Sequence, residues 1–230
     1  HLSLRRQRQM CIRDRVEEEL SLAELKDILD QLAEAGTLYL LFTGGEVLVR
    51  EDFFDIAFYA KGRGFIVMFL TNGTLITPEI AREIRRLKPA FVGMSLHGAT
   101  ASTHDGITGR RGSFAAMMKG IELLKDLGVT VSLQTLLMDS NVHEAEAMRR
   151  LAQSLGVPLH FGHELIPTRS GSPAPYRYEA GLSELCRYWS PEWVRAALLE
   201  NSKDLGYDEN TQGGGRVQAL MSVNTSAVVI

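Results

Sequence analysis

The sequence predicts an α/β fold built on a parallel sheet, and three observations carry that prediction. From Ser21 to Ile166 helical and extended patterns alternate five times. The first two extended stretches, Tyr39–Phe42 and Phe65–Leu70, are unbroken apolar runs, which suit strands covered on both faces. The intervening helical stretches begin or end on capping residues and glycines. Five strands separated by helices call for right-handed βαβ crossovers.

In order, Ser21-Leu-Ala-Glu24 is a capping box, and Leu22, Leu25, Ile28, Leu29 and Leu32 follow at helical spacing. Gly36 stands where a helix ends, and strand Tyr39–Phe42 follows. A helix over Asp52–Lys61 leads to strand Phe65–Leu70. Thr77-Pro78 supplies an N-cap and an N1 proline for a helix to Leu87, before strand Phe91–Leu96. Ser113 starts a helix that ends at Leu127-Gly128, before strand Thr130–Leu137. Asn141-Val-His-Glu144 opens the last of these helices, closed by Leu155-Gly156, before strand Leu159–Ile166. Beyond it the rhythm breaks. Pro167–Pro175 reads as a loop, Leu182–Glu200 as helical with a restart at Ser190-Pro191, Gly213–Gly215 as a joint, and Ser222–Ile230 as an extended run cut in mid-strand.

Composition narrows the function classes. The 230 residues are 45% apolar and 23% charged, an ordinary globular mixture. Cys11 and Cys186 are the only cysteines, too few for a disulfide scaffold. No apolar run approaches the ~20 residues of a membrane helix, and no secretory signal opens the chain, so a soluble cytoplasmic domain with no membrane partner is expected. Residues 1–15 carry five arginines against Asp14, and the remaining body is acidic. An acidic body excludes a general phosphate-binding field, hence nucleic acid. The basic start reads as a solvated or foreign tail.

In parallel α/β sheets ligands lie beyond the carboxyl ends of the strands. After the first strand stands Thr43-Gly44-Gly45-Glu46, where two glycines admit a ligand to the backbone and a carboxylate could hold a cation; a tight turn with a solvated glutamate is the plainer reading. Thr71-Asn72-Gly73-Thr74, after the second, reads as a turn. After the third come Ser95-Leu96-His97-Gly98 and a long polar loop through His104-Asp105 to Arg110 and Arg111. Ser95 and the arginines could hold a carboxylate or ribose hydroxyls, or the arginines could be solvated. Gln134, inside an apolar strand, either satisfies a neighbouring loop or faces a ligand. His97/His104 and His160/His163 are read as surface or hydrogen-bonding histidines rather than metal pairs, and Cys186 as packed. No GxSxG elbow, P-loop or early GxGxxG is present.

Together, Leu38–Arg50 (LYLLFTGGEVLVR), Phe69–Ile76 (FLTNGTLI), Met94–Gly98 (MSLHG), Thr103–Phe114 (THDGITGRRGSF) and Leu165–Pro173 (LIPTRSGSP) resemble the radical S-adenosylmethionine superfamily, with the nearest likeness to peptide-modifying members that carry a SPASM extension. The resemblance implies a partial (β/α)6 barrel whose first strand precedes Ser21, with His1–Leu4 as its remnant. It also implies S-adenosylmethionine, a 4Fe-4S cluster, a peptide or protein substrate and a flavodoxin- or ferredoxin-type electron donor. By the same resemblance Thr43, Gly44, Gly45 and Glu46 would receive the methionine ammonium, with Asn72 beside them. Ser95 and Arg110 would bind the carboxylate or ribose side, Gln134 the ribose, and the backbone at Leu165 and Ile166 the adenine. Val47 replaces the family's usual proline.

One departure is decisive for the cluster. The family's CxxxCxxC needs cysteines at i, i+4 and i+7, and no frame through Cys11 supplies them. Three protein thiolates are needed to leave one iron open to the cofactor. The expectation is a foreign or disordered basic segment over 1–15, an incomplete barrel over 16–175, and a helical linker with the start of a truncated extension over 176–230. The chain alone would be a catalytically inactive fragment of an enzyme. The alternative is a cluster-free homologue acting as a peptide-binding scaffold.

Overall fold

The computed structural model describes residues 19–162, 174–180 and 227–229. Helix α1 (Leu22–Glu34) starts on the expected capping box: Ser21 Oγ accepts from Glu24 N, and the Glu24 carboxylate accepts from Ser21 N at 2.8 Å. It buries Leu25 and Leu29 against the sheet. Strand β1 (Tyr39–Phe42), helix α2 (Phe53–Gly62) and strand β2 (Ile66–Thr71) follow. Helix α3 (Pro78–Leu87) is capped by Thr77 Oγ1 on Ile80 N, with Pro78 in the first turn where its missing N–H costs nothing. Strand β3 (Val92–Ser95), helices α4 (Ala101–Thr108) and α5 (Ser113–Asp126), strand β4 (Val131–Leu136), helix α6 (Ala145–Leu155) and strand β5 (Leu159–Gly162) complete the described α/β run. A short strand, β6 (Ala227–Val229), lies apart in sequence.

The six strands form one sheet in the order β5-β4-β3-β2-β1-β6, and every neighbouring pair is parallel. The expected strand before Ser21 falls outside the described residues; β6 pairs with β1 on that side, Tyr39 opposite Ala227. The last strand runs to Gly162, and the rest of the stretch expected to Ile166 is outside the described residues.

Burial separates the two faces of the sheet. Leu40, Phe42, Val67, Phe69, Val92, Met94, Val131 and Leu133 are buried beneath the helices. Phe53 of α2 meets Phe42 and Phe69 edge-on at 5.7 and 5.3 Å. Each such side chain contributes about 1.5–3 kcal/mol by leaving water, so this face holds the fold. The alternate residues, Leu41, Met68, Leu70, Ser95 and Gln134, are half-buried and face the other way, onto an open face.

One reading is corrected and one is sharpened. The polar stretch after β3, expected as a loop, contains α4, capped by Thr100 Oγ1 on Thr103 N and ended by Gly109 at φ +65°. Gly106 and the β-branched residues around it hide the helix from a propensity reading; its stability comes from buried His104 and from Asp105. Asn141 opens the last helical stretch as expected, through a 3₁₀ turn over Val142–Glu144 that runs into α6, and its side chain makes no capping bond there because it is used elsewhere.

Candidate functional site

The carboxyl ends of β1 to β4 converge as loops tied to one another by side chains. Glu46 caps the 3₁₀ turn Val47–Val49 by accepting from Leu48 N, and the same Oε1 accepts from Thr71 Oγ1 at 2.6 Å. Its Oε2 accepts from Asn72 N at 2.7 Å. One half-buried carboxylate therefore joins the loop after β1 to the end of β2. A carboxylate accepts about four hydrogen bonds; three are taken by described residues, which leave one position on Oε2 open. Gly44 and Gly45 beside it are exposed, and Gly44 holds φ +149° with nothing within 4 Å of where a Cβ would stand. Asn72 closes on its own turn, Oδ1 accepting from Thr74 N and Oγ1.

The next junction lies between β3 and β4. Asn141, fully buried, donates from Nδ2 to His97 O and Leu136 O, both at 3.0 Å, and accepts at Oδ1 from Met138 N at 2.8 Å. His97 N in turn donates to His104 Nδ1 at 3.2 Å, with the two rings 5.4 Å apart. Burial pushes the His97 imidazole down and, with His97 adjacent and Asp105 opposing, holds His104 down to about 4. Both rings are thus neutral near pH 7. His97 Nδ1 is buried with no hydrogen-bond partner among the described residues.

Two carboxylates shape the excursion after β3. Asp105 accepts from Gly112 N at 2.6 Å, Phe114 N at 2.9 Å and Ser113 Oγ at 2.9 Å, and so caps α5 from α4. The Phe114 and Gly112 amides hold its carboxyl below the usual range. Glu144 accepts from Ala99 N, Thr100 Oγ1 and Thr103 Oγ1 at the start of α4. Burial raises Glu144, and those bonds outweigh it to leave the net shift downward. Arg110 and Arg111 are exposed on the tip between α4 and α5.

Of the residues singled out beforehand, the structure brings Glu46 and Asn72 into contact and sets Ser95 beside Gln134 in register. Thr43 is half-buried at the end of β1. Leu165, Ile166, Cys11, Cys186 and His163 lie outside the described residues. Thr71, Asp105, Asn141 and Glu144 carry the site's architecture, and sequence reasoning assigned none of them. Only the spacing from Asp105 to Gly112-Ser113-Phe114, an acid within reach of a helix start, signals such a role. Among the described residues no group of three or more His, Cys, Asp or Glu could hold a metal ion.

An α/β sheet with interlocked loops on its carboxyl edge defines the class, and comparison gives the family. The model of the Radical SAM superfamily matches residues 6–152, and the chain belongs to that superfamily. The AdoMet-dependent heme synthase of Methanosarcina barkeri is 36% identical over 164 residues, 69% of this chain and 47% of that protein. The mycofactocin maturase MftC of Mycolicibacterium smegmatis is 34% identical over 142 residues, 61% of this chain and 36% of that one. The chain therefore spans about half the length, or less, of these curated relatives. Among solved structures, Streptococcus suis SuiB superposes with a TM-score of 0.61 at 15% identity, over 80% of this chain and 42% of that one. Native anSMEcpe with bound AdoMet and Cp18Cys peptide gives 0.60 at 18%, over 77% and 54%. These two likenesses show the shared fold.

The family implies two groups, and the residues fit them unequally. For S-adenosylmethionine the exposed Gly44-Gly45 backbone, the open acceptor on Glu46 and the neutral open face fit a cation beside a nucleoside. Gly93 supports this: a Cβ there would stand 2.5 Å from Leu70 Cδ2 and 3.2 Å from Gln134 Nε2, so its absence makes room for both side chains on the open face. For a 4Fe-4S cluster the residues do not fit. The sequence has two cysteines, 11 and 186, and only Cys11 falls within the matched span.

Proposed function

We propose that this chain is the S-adenosylmethionine-binding part of a radical SAM enzyme that modifies a peptide or protein, and that as written it binds the cofactor without assembling a cluster. The observation that carries the reading is the Glu46 junction, a carboxylate with one open acceptor beside two exposed glycines. The methionine ammonium would take that acceptor and the carbonyls of Thr43 to Gly45 in charge-assisted hydrogen bonds. Ser95 and Arg110 would meet the carboxylate or ribose side, Gln134 the ribose, Asn72 would support the Glu46 end, and the backbone at Leu165 and Ile166 the adenine.

A peptide substrate is supported by the maturase relative and by the peptide bound in the anSMEcpe structure. The heme synthase relative favours a second reading, a tetrapyrrole. A flavodoxin- or ferredoxin-type donor has a role only where a cluster is present. A SPASM extension and a cytoplasmic location belong to the same reading; no helix among the described residues is long and apolar enough to cross a membrane.

Two measurements test it. Calorimetry with S-adenosylhomocysteine should show saturable binding by the folded chain, and Glu46→Gln should weaken it about tenfold; a folded chain that gives no heat removes the cofactor reading. Anaerobic iron–sulfide reconstitution should leave less than one iron per chain. About four irons with charge-transfer absorbance would overturn the claim that the chain cannot hold a cluster. Peptide capture without cofactor binding would support the cluster-free scaffold instead.

A further inference from the structure

The turn that follows Glu46 is fixed mainly at its ends. It spans Val47–Val49, and none of its side chains is fully buried; Val47 and Leu48 only lean on the core. Its backbone bonds are long, with Val49 N donating to Glu46 O at 3.2 Å and Arg50 N to Val47 O at 3.3 Å. Short 3₁₀ turns have poor hydrogen-bond geometry of their own, so what holds this one lies outside it. At its start Glu46 reaches β2 through Thr71 and Asn72. At its end stands Arg50, which has had no part in the site so far.

The Arg50 guanidinium is committed on three sides. Nε donates to Asp52 Oδ1 at 2.6 Å and Nη2 to Asp52 Oδ2 at 3.0 Å, a bidentate pair. Nη2 also donates to Leu20 O at 2.9 Å, and Nη1 to Glu19 Oε2 at 3.3 Å. The Glu19 carboxylate is exposed, and such a pair contributes little; the clamp is made by Asp52 and the Leu20 carbonyl. Asp52 gives up a role to make it. It stands at the N-cap of α2, where an aspartate ordinarily accepts from the first turn, and it makes no such bond. Its carboxylate turns to Arg50 instead. On the other side, Leu20 directly precedes the capping box of α1, whose Leu25 and Leu29 are in the core. One side chain thus ties the end of the turn to the starts of two packed helices.

We propose that Arg50 is a positioning residue for the cofactor loop: it clamps the far end of the turn so that the open Glu46 acceptor is held beside the Gly44–Gly45 backbone. This rests on the cofactor reading above and adds a residue that touches no ligand. With the clamp in place the carboxylate is presented to the methionine ammonium in one position. Without it the turn pivots on its Glu46 end, and the ammonium meets a carboxylate spread over several. The effect falls on the amino-acid half of the cofactor and spares the nucleoside half. The planar fork matters more than the charge, because a lysine ammonium is a point donor that does not match both Asp52 oxygens and the Leu20 carbonyl together.

The test uses the full chain and calorimetry with S-adenosylhomocysteine, with circular dichroism to establish folding. Arg50→Ala should weaken binding about fivefold, within the range of couplings in one hydrogen-bonded network. Arg50→Lys, which keeps the charge and the stem, should lose nearly as much, and it carries the same expectation if Arg50→Ala does not fold. A second probe, 5′-methylthioadenosine, lacks the amino-acid end and should bind parent and variant within about twofold of each other. In a Glu46→Gln background the same Arg50 substitution should cost less than about twofold, because the acceptor it positions is already gone. If the parent binds and Glu46→Gln weakens binding, yet the Arg50 variants bind as the parent does, the Arg50 assignment alone is overturned. A loss that is equal for both probes, or fully additive with Glu46→Gln, overturns it too, since that is the mark of a general structural role. If the folded parent binds no S-adenosylhomocysteine, the assignment and the cofactor reading fall together.

Discussion

Glu46 and Asn141 do the same structural work at two places and end in different chemical states. Each side chain makes three hydrogen bonds that tie the end of one strand to the loop of its neighbour, β1 to β2 for Glu46 and β3 to β4 for Asn141. Asn141 is neutral, fully buried and turned wholly inward. Glu46 is a half-buried carboxyl on which the described residues leave an acceptor open beside exposed backbone. A junction sealed from water can only hold the scaffold. One left partly open can hold the scaffold and a ligand at once, so a lost function on mutating Glu46 must be separated from a lost fold.

The largest expected effect is at the sealed junction. Asn141→Ala strands the carbonyls of His97 and Leu136 and the amide of Met138, and should cost about 2–4 kcal/mol in urea unfolding. Its affinity for S-adenosylhomocysteine, measured at a temperature where it is folded, should stay within about twofold; a tenfold loss would erase the contrast with Glu46.

A pH titration sharpens it next. His104 accepts the His97 amide only while neutral, and its folded value of about 4 lies below the ordinary imidazole value of about 6.5. Between those values the unfolded chain binds the proton and the folded chain does not, so stability falls as pH drops from 6.5 toward 4, by about 3 kcal/mol. Asp105 adds a separate loss at lower pH, because its folded carboxyl sits below the usual range and must be protonated. Equilibrium unfolding across pH 4–7 of the parent and of His104→Gln should separate the contributions, the variant losing less stability below pH 6.5 than the parent but still some, because buried His97 also resists protonation.

Glu46→Gln should be milder for stability, about 1–2 kcal/mol. The amide can keep the bonds at Oε1 but sets an N–H donor against the Asn72 N–H. Its signature is the tenfold affinity loss set against that modest cost. The smallest effect belongs to Arg111→Ala, an exposed side chain on the α4–α5 tip, whose unfolding midpoint should match the parent within about 0.5 kcal/mol.

The strands and most helices are legible in the sequence because local rules decide them. Ser21 with Glu24, and Thr77 with Pro78, act on their own turns, and the structure returns both caps. Helix α4 is not legible, since what holds it is remote in sequence: Glu144 reaches Ala99 and Thr103 from the next βα unit. The Gly44-Gly45-Glu46 loop can be found by its glycines and acid, but the partners of Glu46, Thr71 and Asn72, stand 25 and 26 residues on.

The pairing of β6 with β1 has a consequence for the order in which the sheet assembles. Every other neighbouring pair joins residues fewer than 40 positions apart, whereas Tyr39 meets Ala227 across almost 190. Closing that longer loop costs only about 2 kcal/mol more in chain entropy, yet three paired residues return little against it. That edge should therefore zip last in refolding and unzip first in the native state. In hydrogen exchange, β1 amides bonded toward β6 should lose their protons' protection well before the amides between β2, β3 and β4.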